Sequence, residues 1–170
     1  MISAFRADDI QAIDAAMNSG NHYDCAVIGH ESCPYFYRQE DVDTLIDHAE
    51  SYGLAVKVNV PIVFEDYLDY FKKETVRLTE NYPSVKLIVN DWGMLYYLHG
   101  IYPDKKFAAG LGISFSYADC PWNFHIVEEE HEKYRKMLET HNFDSSVMLQ
   151  TLFDLGVNEI IMGDMDILED

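Results

Sequence analysis

Asn90-Asp91-Trp92-Gly93 closes the β-branched run 85–89 and presents an amide, a carboxylate and an indole in succession. A carboxylate beside an imidazole does acid–base chemistry, the carboxylate fixing the ring tautomer while the ring accepts a proton. His30 is the candidate imidazole, because it follows another apolar run, 23–29, and Asp91 or Asp164 is its candidate carboxylate. His30 and Asp91 are therefore assigned the catalytic role. Asn59 and Asn90 would line the substrate pocket, Trp92 would stack on a ligand, Arg38 would clamp a carboxylate at two points, and Asp164 would complete the rim. Each has a plainer structural role as well. Asn, Asp and Ser start loops and cap helices, Arg38 can tie its loop to Asp41, and Trp92 and Trp122 can pack in a core or subunit contact.

With Glu31 the same groups have the donor types of a divalent-metal site, but there is no HExxH and no histidine pair on one helix, so no metal ligands are assigned. Cys33 and Cys120 each follow an apolar run, and a reactive thiol there would need His30 or His125 as its base; an inert cysteine in a packed loop is the simpler assignment. Cys25 lies mid-strand and belongs to the core. No nucleophile–base pair is convincing, which argues against proteolysis. Gly110-Leu111-Gly112 lacks the third glycine of a phosphate-binding loop and marks a bulge or a close backbone approach instead.

These residues are useful only if the chain brings them together. Five apolar runs (23–29, 55–60, 85–89, 107–115 and 159–162) alternate with amphipathic helical patterns (7–18, 39–52, 65–80, 92–99 and 145–155). Such alternation predicts an α/β fold with a parallel sheet, and its strand tips would gather His30, Glu31, Asn59, Asn90, Asp91, Ser114 and Asp164 on one rim. An open doubly wound sheet and a (β/α) barrel both satisfy the pattern. A complete barrel takes about 250 residues, so the barrel form here is a partial or small TIM-like one. No linker divides the chain, and residues 1–170 read as a single domain.

The 170 residues are 48% hydrophobic and 14% aromatic, enough for a core. Thirty acidic and twelve basic residues give a formal charge of −18, which repels phosphate backbones and anionic membranes, so neither direct nucleic-acid nor membrane binding is expected. Three scattered cysteines and no apolar leader predict a reducing, cytoplasmic setting. The expected partners are a small polar molecule or peptide, together with a second copy or an accessory protein that covers exposed sheet edges.

Three stretches carry a family resemblance: Gly29 through Arg38, Gly53-Leu54-Ala55-Val56-Lys57-Val58-Asn59, and Val89-Asn90-Asp91-Trp92-Gly93-Met94-Leu95. Together with the closing Gly156-Val157-Asn158-Glu159-Ile160-Ile161-Met162, they resemble the collagenase-like peptidase family, peptidase family U-thirty-two, over most of residues 5–165. The resemblance implies a TIM-like barrel and either peptidase or oxygen-independent hydroxylase chemistry. It also implies an iron–sulfur cluster on four cysteines, a set the three cysteines here do not support. The chain departs from the pattern further in ending where the family continues, and in carrying Asp119-Cys120-Pro121-Trp122 where relatives have more basic residues.

Overall fold

The computed structural model describes residues 3–114 and 142–161. Six strands, β1 (Ala4–Ala7), β2 (Cys25–Ile28), β3 (Ala55–Val60), β4 (Lys86–Val89), β5 (Phe107–Ala109) and β6 (Val157–Ile160), form one sheet in the order in which they occur along the chain. Every pairing is parallel. Between them lie α1 (Ile10–Asn18), α2 (Phe36–Gln39), α3 (Val42–Ser51), α4 (Leu68–Asn81), α5 (Trp92–Ile101) and α6 (Ser146–Asp154). A strand order that never reverses sends every helix to the same face when its crossovers share one hand.

Local chemistry sets the boundaries. Asp9, Asp41, Asp91 and Ser145 each sit in extended backbone and accept a hydrogen bond from the N–H three residues on, which starts α1, α3, α5 and α6. Gly53 ends α3 at φ +76°, a left-handed conformation that glycine adopts without strain, and the chain turns directly into β3.

The register divides the sheet into two faces of different character, because residues two apart point the same way. One face aligns Phe5, Ala26 and Val56, then Ile28, Val58 and Leu87, then Val60, Val89 and Ala109. These join Ile13, Leu45, Ile46, Phe71, Leu78, Leu98 and Leu152 from the helices in one apolar core. The opposite face aligns Arg6, Val27, Lys57 and Lys86, then Asn59, Ile88, Ala108 and Glu159.

Lys57 on β3 is ion-paired with Glu159 on β6, and Lys86 on β4 donates to the same carboxylate at 3.0 Å. Three strand spacings of a flat sheet are about 14 Å, and side chains stand roughly perpendicular to the sheet. The sheet therefore curls toward this face. Burial raises the Glu159 carboxyl, but hydrogen bonds and charge from Lys57 and Lys86 outweigh it and hold the group below its ordinary value.

Three features differ from the sequence expectation. Strand β1 adds a sixth strand ahead of the expected five; its four residues offer only Phe5 and Ala7 to the core, too short an apolar pattern to stand out. Strand β5 stops at Ala109 rather than at 115, because Ile113 and Ser114 both donate to the Gly110 carbonyl and fold the chain into a tight turn. The last strand begins at Val157, two residues earlier than the run 159–162.

Candidate functional site

The C-terminal tips of the parallel strands form one rim. Asp8 follows β1, His30 and Glu31 follow β2, Asn59 lies near the end of β3, Asn90 and Asp91 follow β4, and Gly110 to Ser114 follow β5. Sequence reasoning places most of these groups on a shared rim; their partners are another matter.

His30 is half-buried, and its ring edge rests on Phe36 at 5.5 Å between centroids. Its Nε2 lies 3.3 Å from Asp8 Oδ1. Arg6 contacts both ring nitrogens, closest at Nδ1. An arginine can only donate, so Arg6 donates to the ring, and a ring that accepts at Nδ1 can donate Nε2–H to Asp8. Arg6 also donates from Nε to Asp8 Oδ1 at 3.0 Å and lies 3.8 Å from Glu31 Oε2. Two carboxylates, a guanidinium and an imidazole thus meet where β1 and β2 end.

The carboxylate beside His30 is Asp8 and not Asp91. His30 follows β2 and Asp91 follows β4, so the intervening β3 separates their backbones by about 10 Å. Asp91 caps α5, its Oδ1 accepting from the Met94 N–H at 2.9 Å. Asp164, Cys120, Trp122 and His125 lie outside the described residues.

Asn59 and Asn90 are adjacent and 2% and 1% exposed. Asn59 donates from Nδ2 to the Gly29 carbonyl at 3.2 Å. Asn90 donates to Asn59 Oδ1 at 3.2 Å and to the Val60 carbonyl at 3.0 Å, and its own Oδ1 accepts from the Gly112 N–H at 3.2 Å. The two amides form a hydrogen-bonded ladder across the tips of β2, β3, β4 and β5. Their polar atoms are spent on backbone and on each other, so they hold the rim in shape. Asn90 also explains the two glycines after β5. A Cβ on Gly110 would come 2.1 Å from Asn90 Oδ1, and one on Gly112 would come 2.2 Å from the Asn90 carbonyl oxygen.

Trp92, the first residue of α5, is half-buried and packs against the core. Arg38, the third residue of α2, is exposed and forms no ion pair among the described residues; Asp41, its expected partner, is engaged by Thr44 as the cap of α3. Ser114 is buried in the turn after β5. Gly29 needs its left-handed φ of +89°, and a side chain there would meet the buried Tyr37 hydroxyl at 2.8 Å.

Burial raises the Cys25 thiol above its ordinary range, which disfavours the nucleophilic thiolate. Cys33 is half-buried in the loop after β2. Three cysteines in the whole chain fall short of the four thiolates of an iron–sulfur cluster, so the residues of one chain do not fit that group. Among the described residues, no three His, Cys, Asp or Glu side chains are gathered as a metal site, and no helix is long and apolar enough to cross a membrane.

Sequence reasoning passes over Arg6 and Asp8. Asp8 and Asp9 read alike as the first turn of a helix, yet only Asp9 caps α1, bonding the Ala12 N–H at 2.7 Å, while Asp8 turns toward His30. The signal available was the apolar alternation of Phe5 and Ala7 ahead of a capping aspartate.

The class of protein that the coordinates define is an all-parallel α/β protein with a sequentially ordered, curled sheet and a polar rim. No family model, curated protein or solved structure matches the chain.

Proposed function

We infer that the chain is a partial TIM-like barrel of the collagenase-like peptidase kind that binds, and acts on, a small polar molecule or a peptide end at the C-terminal tips of its strands. The observation that carries this reading is the contact between His30 and Asp8 beside Arg6, at the tips of β1 and β2. In parallel α/β architectures that rim is where ligands bind, because the tips converge there and the loops can be shaped freely.

Each group has a role in this reading. Asp8 orients the imidazole, and His30 exchanges a proton with the ligand through Nδ1, which becomes free when Arg6 turns from the ring to the ligand's anion. Arg6, the guanidinium nearest the ring, holds a carboxylate or other anion. Asn59 and Asn90 act as positioning residues through the ladder, and Asp91 supports the rim by holding the start of α5.

Ligand-observed NMR with a panel of amino acids, dipeptides and hydroxy acids tests the reading. A compound that binds the wild type should bind His30→Gln and Asp8→Asn at least about tenfold more weakly, with melting temperatures little changed. Binding that survives both substitutions, or a panel with no binder, removes the rim from consideration.

A further inference from the structure

Among the described residues the sheet has two edges, β1 and β6. β1 carries Arg6, which is turned to Asp8 and His30. β6 has no lysine, arginine or proline, and its one charged side chain, Glu159, is turned inward to Lys57 and Lys86. No strand pairs with its outer side among the described residues.

Beside that edge α6 leaves apolar groups in solvent, with Val147 74% and Phe153 70% exposed and Leu149 also exposed. Of the helix's own residues only Leu152 is buried. Between α6 and β6 lies a cleft of about 580 Å³, with Leu149, Leu152, Phe153, Val157 and Ile160 as its apolar walls. An unpaired strand flanked by an apolar groove has what strand addition requires: backbone groups for affinity and pockets for alternate side chains.

We propose that the β6–α6 edge is a docking groove for an extended, basic segment of a partner protein, which adds a strand to β6 and packs its apolar side chains against Leu149 and Phe153. Charge selects this occupant. No lysine or arginine lines the cleft, Asp154 closes α6 beside it, and the chain carries −18 overall. Two copies would each bring that charge to the contact, which opposes self-association, whereas a segment with lysine or arginine on its outward positions is attracted.

The test uses the full chain and a fluorescein-labelled peptide alternating lysine with valine, beside its glutamate–valine counterpart, read by fluorescence anisotropy. The lysine–valine peptide should bind in preference. Phe153→Ser should weaken it about five- to tenfold, while Tyr96→Ser, at an exposed site on α5, leaves it unchanged. Amide shift changes on binding should fall within 146–160.

Absence of binding, preference for the glutamate peptide, or equal effects of the two serine variants overturns the proposal. So does a dimer in sedimentation velocity that Phe153→Ser dissociates, since a second copy would then be the occupant. His30→Gln should leave peptide binding intact, so a failure of this groove is separable from a failure of the rim.

Discussion

Replacing Gly110 with alanine should destabilise the protein by about 3 kcal/mol, and most of that cost should vanish when Asn90 is alanine too. The new methyl would sit 2.1 Å from Asn90 Oδ1 and 2.6 Å from its Cγ, and the amide cannot swing aside without breaking its bonds to Asn59, Val60 and Gly112. Keeping the amide in place costs about 1–3 kcal/mol of overpacking. Displacing it strands the buried Asn59 Oδ1 at about 1–3 kcal/mol, while the Gly112 N–H, on an exposed residue, can turn to water. Asn90→Ala alone strands the same buried acceptor and should cost about 1–3 kcal/mol by that route. With the amide gone, the three atoms nearest the added Cβ are gone as well, and Gly110→Ala should then cost below about 1 kcal/mol.

Gly112→Ala is the internal control. Its Cβ would strike the Asn90 backbone oxygen at 2.2 Å, which no substitution at Asn90 removes, so most of its cost should persist in both backgrounds. Urea unfolding with a shared slope measures the cycle, and Gly110→Ala should also lower the melting temperature by about 6–12 °C. Costs at Gly110 that agree to within about 0.5 kcal/mol in the two backgrounds would refute the ladder as the reason for that glycine.

Other outcomes follow from single contacts. Asp91→Ala should cost about 1 kcal/mol through loss of the α5 cap and leave any rim ligand's affinity nearly unchanged, as thermal melts and ligand-observed NMR would report. Glu159 is held below its ordinary value of 4.5, so its contribution to stability is present above that pH and is lost as the pH falls through the folded-state value; Glu159→Gln should flatten the acid side of a stability-versus-pH curve from urea midpoints. Asp14 is likewise lowered by its hydrogen bonds from His48 and Tyr52, and Asp14→Asn should remove a second, smaller part of the same acid-side slope.

The elements with strong local signals were legible in the sequence. β3 falls on 55–60 as expected, because Val56, Val58 and Val60 alternate with less apolar residues after the Gly53 cap. The parallel arrangement followed from the alternation of elements. β1 was not legible, since four residues with two apolar positions carry little periodicity and only pairing with Cys25–Ile28 makes them a strand. That omission hid Arg6 and Asp8, which reach His30 across 24 and 22 positions of chain. Asn59 and Asn90 stood out as polar groups at strand tips, but their mutual bond depends on β3 and β4 being neighbours in register, which neither segment encodes alone. Asp91 also stood out at a strand tip, and its bond from the Met94 N–H follows from the helix start that the same stretch signals.

The Lys57–Glu159 pair has a consequence for how the chain is assembled. Each strand pairs with the one just before it, so the sheet can lengthen one βα step at a time during synthesis, each step closing a short loop. This ion pair breaks that locality by joining positions 102 residues apart. Until β6 emerges, Lys57 and Lys86 occupy the curled face as two like charges opposite one another, without their carboxylate. β6 therefore acts as a latch, and the two lysines repel one another until it is in place.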